Sequence, residues 1–322
     1  MRGLSYLVLM KALRDALAQH SVLILDGGVA TELEYRGIAL DDELWSAAVL
    51  SQLPEAIARV HYDYYWAGAD IAISATYQAT HQGFARKGIH PWAQDRLFHL
   101  AVRLAQDAAR VCKRRLPKGH TRAWLVAASV GPYGAFLANG AEYRGNYGLS
   151  RQELVEFHAP RMAVLAQTQA HCWAFETIPD RVEVGALLEL LARWPQRDAW
   201  MSFSCRDTAH LADGTPIEEV AALAAQHEQI TALGVNCLSP QWVTPLLTRI
   251  RTVTHKPLVA YPNSGEQWDA MQRRWEQPTC AVDWYTYVAE WLGLGVRLIG
   301  GCCRTRPADI ATMRRVCLQT MT

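Results

Sequence analysis

Short apolar runs alternate with longer amphipathic stretches along almost the whole chain, and eight such pairs follow one leading helical segment. The runs are rich in Val, Ile and Ala and are apolar on both faces, as parallel strands covered by helices must be. They occupy residues 21–25, 71–75, 124–130, 172–175, 200–205, 230–235, 258–261 and 296–299. The pattern predicts an α/β fold, a (β/α)8 barrel. An open doubly wound sheet is the alternative, but it more often has fewer strands and a glycine-rich first turn.

The eight strand–helix units use nearly all of the 322 residues, so we expect one domain over residues 1–322. The spacing of Leu9, Leu13 and Leu17 predicts the leading helix. Residues 29–53, 134–149 and 264–280 form unusually long loops after strands one, three and seven. All three loops would lie over the C-terminal face of the barrel, where catalysis takes place in this fold.

Charge and cysteine content exclude several classes of partner. The chain has 32 Lys and Arg and 31 Asp and Glu residues, which gives a formal net charge of +1. This balance argues against a protein whose main role is to bind nucleic acid or an anionic membrane. No apolar stretch approaches the roughly 18 residues of a membrane span, and no secretory cleavage site follows the first apolar run. Without such a signal, the eight cysteines favour metal binding or burial over disulfides. We expect a cytoplasmic protein with small-molecule partners and take a monomer as the working state.

Residues with useful chemistry stand at the ends of the predicted strands. Asp26 follows the first strand, Glu176 the fourth and Cys237 the sixth, while Cys302 and Cys303 follow the eighth after two glycines. Because glycines let the backbone turn freely, both adjacent thiols could face the barrel mouth, two strands away from Cys237. Three thiolates with a vacant fourth position are typical of catalytic zinc, whereas structural zinc usually has four protein ligands.

Simpler interpretations of the same residues stay open on these grounds. Cys302 and Cys303 could form a vicinal disulfide or merely pack, as we expect of the other five cysteines. Asp26 and Glu176 could be helix caps or surface carboxylates. No glycine-rich nucleotide loop, H-E-x-x-H or G-x-S-x-G motif occurs, so the thiols carry the strongest chemical signal in the chain.

At these residues the sequence resembles the zinc- and homocysteine-dependent methyltransferases. The resemblance spans about residues 22–317 and rests on Leu25-Asp26-Gly27-Gly28, Gly234-Val235-Asn236-Cys237 and Gly300-Gly301-Cys302-Cys303-Arg304. It implies a (β/α)8 barrel with one Zn²⁺ on Cys237, Cys302 and Cys303. It also implies that Asp26 and Glu176 hold the homocysteine amino group. Tyr77 matches a tyrosine that can fill the fourth zinc position when substrate is absent.

Within that family the sequence looks most similar to the bacterial homocysteine S-methyltransferases. The implied reaction transfers a methyl group from S-methyl-L-methionine or S-adenosyl-L-methionine to the thiolate of L-homocysteine, giving L-methionine. Asn263, after strand seven, is a further candidate substrate contact. Trp45, in the first long loop, is the candidate for a cation–π contact with the donor.

The betaine-using relatives are the main alternative within the family. The betaine-using relatives carry an aromatic residue directly after the position of Glu176, whereas this sequence has Thr177 there. They also carry a C-terminal extension, whereas this sequence stops soon after its last helix. Both differences argue against betaine as the donor. A length of 322 residues also leaves no room for the folate and cobalamin modules of cobalamin-dependent methionine synthases. Outside the family, the alternatives are a non-catalytic zinc–thiolate protein and an unrelated barrel lyase or hydrolase.

Overall fold

Eight parallel strands surround the centre of the computed structural model, which describes residues 12–38, 46–117, 121–269, 274–276 and 282–320. The barrel strands are β1 Leu23–Ile24, β2 Ile71–Ile73, β3 Leu125–Val130, β4 Cys172–Ile178, β5 Ala199–Phe203, β6 Ile230–Asn236, β7 Leu258–Tyr261 and β8 Val296–Ile299. Each pairs in parallel with its neighbour in the order β1-β8-β7-β6-β5-β4-β3-β2. A further parallel bridge joins Leu25 to Ile71 and closes the ring between β1 and β2. The predicted (β/α)8 barrel is confirmed.

Helices lie between the strands and over the mouth of the barrel. Among the described residues they are α1 Ala12–Gln19, α2 Val29–Tyr35, α3 Ser46–Gln52, α4 Pro54–Ala67, α5 His81–Arg86, α6 Pro91–Arg115, α7 Tyr133–Leu137, α8 Arg151–Leu165, α9 Arg181–Leu191, α10 Ile217–Ala225, α11 Pro240–Arg251, α12 Trp284–Gly293 and α13 Pro307–Thr320. None of the helices in these ranges is long and apolar enough to cross a membrane.

Local sequence signals set the helix ends. Helix α4 begins at Pro54, whose fixed φ suits the first helical turn, and ends at Gly68, which has a φ of +125°. Helix α8 begins with a capping box in which Ser150 and Glu153 bond each other's backbone and side chain. Helix α1 lies at the N-terminal end of the barrel, where Arg297 at the start of β8 donates to the carbonyl of Leu17 at 2.7 Å.

Two apolar clusters follow from the alternation of side chains along each strand. Residues on the inner faces fill the barrel with Leu13 and Leu17 of α1 beneath them: Leu23, Leu25, Ile71, Leu125, Ala127, Cys172, Ala174, Trp200, Ala232, Val259, Tyr261 and Leu298. Residues on the outer faces, such as Trp173, Met201 and Leu233, pack against the helices. The sequence prediction of strands apolar on both faces therefore holds for the lower part of the barrel.

The upper inner layer is polar, and it corrects one predicted strand end. The same alternation that points Cys172 and Ala174 inward places Glu176 on the inner face of β4, which continues to Ile178. The sequence prediction ended this strand at residue 175, where the apolar run ends, because it expected strands that are apolar on both faces. The predicted loops also hold structure, since 29–53 contains α2 and α3. Loop 264–280 contains the antiparallel strands Gln267–Asp269 and Arg274–Glu276.

Candidate functional site

Three thiols meet at the C-terminal ends of β6 and β8. The Sγ atoms of Cys237, Cys302 and Cys303 all lie within 4.8 Å of one another, and those of Cys237 and Cys303 are 3.5 Å apart. All three cysteines are free thiols, so the adjacent pair forms no disulfide. Hydrogen bonds from Cys302 and Cys303 hold the pKa of Cys237 well below its usual value. The site therefore favours a thiolate at Cys237.

The chain brings these thiols together through two turns. Cys237 has a φ of +56°, a left-handed conformation that turns the backbone at the end of β6. After β8 the backbone N–H of Gly301 donates to the carbonyl of Asp26 at 3.0 Å, and that of Cys302 donates to the carbonyl of Pro262 at 2.8 Å. The amide oxygen of Asn263 accepts from the backbone N–H of Cys303 at 3.2 Å. Neighbouring strand ends thus fix the backbone of the Cys302–Cys303 pair.

Gly301 is the position where a side chain would disturb this turn most directly. A Cβ there would stand 2.0 Å from Oγ1 of Thr305, the hydroxyl that donates to the carbonyl of Cys302 at 2.7 Å. Gly301→Ala should therefore cost about 1–3 kcal/mol of stability through overpacking. It should also weaken metal binding about 10-fold or more, as loss of a ligand-orienting contact does.

Chelator competition and urea unfolding test that expectation. Gly293→Ala is the matched control, because nothing lies within 4 Å of the Cβ it would add at the end of α12. The control should keep wild-type metal affinity. Equal metal affinity in Gly301→Ala and Gly293→Ala would contradict the role given to this turn.

Two buried carboxylates lie beside the thiols. Oδ2 of Asp26 accepts from the backbone N–H of Ile73 at 3.0 Å, with Nδ1 of His61 3.8 Å away. Glu176 is bonded to the hydroxyl of Ser129, and burial raises the pKa of its carboxyl to about 8. The charges of Asp26 and Cys237 raise that pKa further. Burial also raises the pKa of Asp26. A cation between the carboxylates would favour their charged forms.

Asn236 links the carboxylate strand to the thiols. Its amide oxygen accepts from the backbone N–H of Thr177 at 2.8 Å and from the hydroxyl of Ser202 at 2.8 Å. Its amide nitrogen donates to Oγ1 of Thr177 at 2.8 Å and points toward Sγ of Cys302 at 3.9 Å. In the sequence, Asn236 stands out only as part of the motif Gly234-Val235-Asn236-Cys237. Asn236 lies four residues after Ala232 on β6, and Ala232 points into the barrel. Because side chains alternate along a strand, this spacing indicates that Asn236 also points inward.

A second tyrosine, in addition to the predicted Tyr77, also reaches the thiols. The hydroxyl of Tyr143 lies 3.3 Å from Sγ of Cys237. Tyr77 lies in the loop after β2, where its ring packs against Gly131 so closely that a Cβ there would be 2.6 Å away. Tyr77 also lies close to the side chain of Thr177, at the end of β4. Thr177 itself has a φ of +61°, an outlier for a β-branched residue.

The predicted site residues thus fall into three groups. Asp26, Glu176 and the three cysteines converge on the mouth of the barrel. Tyr77 and Asn263 lie at the same rim, and their contacts with zinc or substrate stay predictions. Trp45 lies outside the described residues, so its predicted contact with the donor also stays a prediction.

The three thiols suit a single metal ion. Tetrahedral zinc with Zn–S bonds of about 2.3 Å separates its sulfur ligands by about 3.8 Å. The thiols of Cys237 and Cys303 are 3.5 Å apart, and all three lie within 4.8 Å of one another. Among the described residues, no His, fourth Cys or carboxylate joins the cluster. Soft thiolate ligands select zinc, copper(I) or iron–sulfur chemistry over magnesium or calcium. The three thiols would supply three of the four ligands of a tetrahedral zinc ion.

Fold and site together define a (β/α)8 barrel protein with a thiol-lined metal site at its mouth. Residues 23–317 match the family model described as Homocysteine S-methyltransferase. The homocysteine S-methyltransferase of Escherichia coli (strain K12) is 47% identical, with 94% of this chain and 97% of that protein covered. Homocysteine S-methyltransferase YbgG of Bacillus subtilis (strain 168) is 44% identical, with 94% and 96% covered.

A solved structure agrees with these two relatives. The metallated form of the homocysteine methyltransferase MmuM from Escherichia coli has a TM-score of 0.85 and 45% identity, with 94% of this chain and 99% of that chain covered. The chain belongs to the homocysteine S-methyltransferase family and is a methyltransferase acting on homocysteine. This assignment decides against a non-catalytic thiolate protein and against an unrelated barrel lyase or hydrolase.

Proposed function

We propose that this enzyme uses one zinc ion to transfer a methyl group from a sulfonium donor to the thiolate of L-homocysteine, forming L-methionine. The observation that carries the proposal is the meeting of three free thiols and two buried carboxylates at one barrel mouth. Cys237, Cys302 and Cys303 would hold the ion. Zinc bound there would supply Lewis acidity that keeps the thiol of homocysteine deprotonated at neutral pH. A free thiol, with a pKa near 8.5, is mostly protonated at that pH.

Asp26 and Glu176 would bind the ammonium group of homocysteine. Both carboxylates are buried, so each gains from a cationic partner that offsets its loss of solvation. Asn236 fixes the end of β4 relative to Cys302 and thereby sets the distance between the ammonium site and the thiols. An amino acid held at both its ammonium group and its sulfur is oriented for reaction.

The charges of the two substrates suit a buried site. The homocysteine thiolate attacks the methyl carbon of the donor, a new carbon–sulfur bond forms, and the old bond breaks with its electron pair left on a neutral thioether. The negative charge of the thiolate and the positive charge of the sulfonium both diminish in the transition state. A barrel mouth shielded from water therefore favours the reaction, provided that it also aligns the donor for attack. No proton moves at the methyl carbon, so the site needs no general base there.

S-methylmethionine is the donor that we propose as preferred, followed by S-adenosylmethionine. A sulfonium is a better methyl source than a quaternary ammonium, and S-methylmethionine is the smaller of the two sulfonium donors. Thr177, in place of the aromatic residue of betaine users, accepts a hydrogen bond from the amide nitrogen of Asn236 and offers no ring to a quaternary ammonium group. The free thiols of the described cysteines also support the proposal of a reducing, cytoplasmic location.

Methionine formation from homocysteine with each donor in turn tests the choice of donor. The zinc-loaded protein should give the highest kcat/KM with S-methylmethionine, a lower value with S-adenosylmethionine and essentially no turnover with betaine. Efficient turnover with betaine as sole donor would overturn the donor assignment. Equal activity after complete removal of zinc would overturn the proposed role of the metal.

A further inference from the structure

Glu142 stands on a short 3-10 turn, Ala141–Tyr143, in the loop that follows β3. This turn packs directly on Gly134 of α7, where a Cβ would be 2.4 Å from the backbone nitrogen of Glu142. On its other side, the backbone N–H of Asn146 donates to Oδ2 of Asp180 at 2.8 Å. Contacts before and after the turn therefore fix its position in the fold.

The same turn reaches over the thiols. Tyr143, the neighbour of Glu142, places its hydroxyl 3.3 Å from Sγ of Cys237 while 42% of the residue stays exposed. The charge of Glu142 is close enough to raise the pKa values of Tyr77 and Tyr143. Glu142 and Tyr143, in the loop after β3, and Tyr77, in the loop after β2, thus all lie near Cys237.

One oxygen of the Glu142 carboxyl group lacks a hydrogen-bond partner among the described residues. This atom, Oε2, is buried. Burial raises the pKa of this carboxyl to about 7. The backbone N–H of Glu142 itself and the charge of Arg144 lower this pKa, whereas the charge of Cys237 raises it. A buried polar atom without a partner is costly, and native structures usually satisfy it with protein, water or a ligand. Here a cationic ligand at the mouth would supply the missing partner.

We propose that Glu142 is the carboxylate that binds the cationic methyl donor, with Tyr143 beside it. This inference rests on the proposed function, because it requires a donor that carries positive charge. Homocysteine would have its own pair of carboxylates in Asp26 and Glu176, whereas Glu142 lies on a different element, the turn in the loop after β3. Carboxylates and aromatic rings are the groups that stabilise cations in binding sites. Both the sulfonium and the α-ammonium group of the donor fit this chemistry.

Steady-state kinetics of Glu142→Gln in the zinc-loaded enzyme test the proposal. The variant keeps the shape of the side chain and removes its charge, so the KM for S-methylmethionine should rise about 10-fold or more. The KM for homocysteine and the zinc content per chain should stay at wild-type values. An unchanged kcat assigns the contact to the ammonium group, and an altered kcat assigns it to the sulfonium, whose charge is lost in the transition state.

Two further variants complete the experiment. Glu142→Asp keeps the charge on a shorter side chain and should restore part of the donor affinity. Glu156→Gln, the same substitution on the exposed face of α8, should match wild type in every parameter. If Glu142→Gln does not fold, Glu142→Ala removes the charge in its place: a wild-type donor KM in Glu142→Ala contradicts the proposal, and a raised donor KM with an unchanged homocysteine KM supports it.

The outcomes separate this proposal from the proposed function. A folded Glu142→Gln variant with a wild-type donor KM would overturn the donor role, and so would equal rises in the KM for donor and homocysteine. Failure of the wild-type enzyme to use either sulfonium donor would instead refute the proposed function.

Discussion

Replacement of Cys302 with alanine should release the metal and lower methionine formation by about 10³-fold or more. Two thiolates cannot hold the ion as three do, and the substrate thiol then returns to a pKa near 8.5, with a few per cent ionised at neutral pH. The loss of a fixed position for the attacking sulfur adds a further penalty. Metal content by elemental analysis and single-donor kinetics measure both effects. Cys237→Ala and Cys303→Ala should behave alike.

Cys112→Ala is the matched control for the three thiol variants. Cys112 is a buried free thiol on α6, outside the cluster at the barrel mouth. Its loss should cost a small amount of stability through the cavity that remains, with metal content and kcat unchanged. Full activity in any one of the three cluster variants would disprove the assignment of that residue as a metal ligand.

Neutralising either carboxylate beside the thiols should weaken homocysteine binding and spare the metal. Asp26→Asn and Glu176→Gln each leave a charged ammonium group with one partner fewer in a buried site, which typically costs 2 kcal/mol or more. The KM for homocysteine should therefore rise by about 30-fold or more. The donor KM and the zinc content should change little.

Asp198→Asn separates this effect from simple destabilisation. Asp198 is buried at the opposite end of the barrel, where it accepts from the backbone N–H of Arg14 at 3.1 Å. The variant should lower stability and leave the homocysteine KM at its wild-type value. Zinc loss in Asp26→Asn or Glu176→Gln would show that these carboxylates support the metal site, contrary to the role proposed for them.

The barrel could be predicted from the sequence because its signal is repeated. Eight apolar runs separated by helical stretches specify the order of the strands and helices. Pro54 and Gly68 predict the start and the end of α4, which spans Pro54–Ala67 in the structure. The convergence of Cys237 with Cys302 and Cys303 was also predictable, since ends of nearby parallel strands meet at one rim. The glycines before Cys302 indicated the turn that the pair needs.

Other parts of the site depend on information that the periodicity of the strands does not carry. The polar inner layer of Ser129, Glu176, Ser202 and Asn236 required the register of each strand, and β4 was predicted to end before Glu176. The positions of Glu142 and Tyr143 depend on packing of a long loop against Gly134 and Asp180. Such tertiary contacts override local patterns and leave little trace in a single sequence.

X-ray absorption spectroscopy at the zinc edge tests the central claim most directly, because it counts the sulfur atoms bound to the metal. The zinc-loaded protein without substrate should show three sulfur neighbours, contributed by Cys237, Cys302 and Cys303. Addition of homocysteine should bring the number to four. Four sulfur neighbours before homocysteine is added, or an unchanged three in its presence, would contradict a three-thiolate site that receives the substrate thiolate.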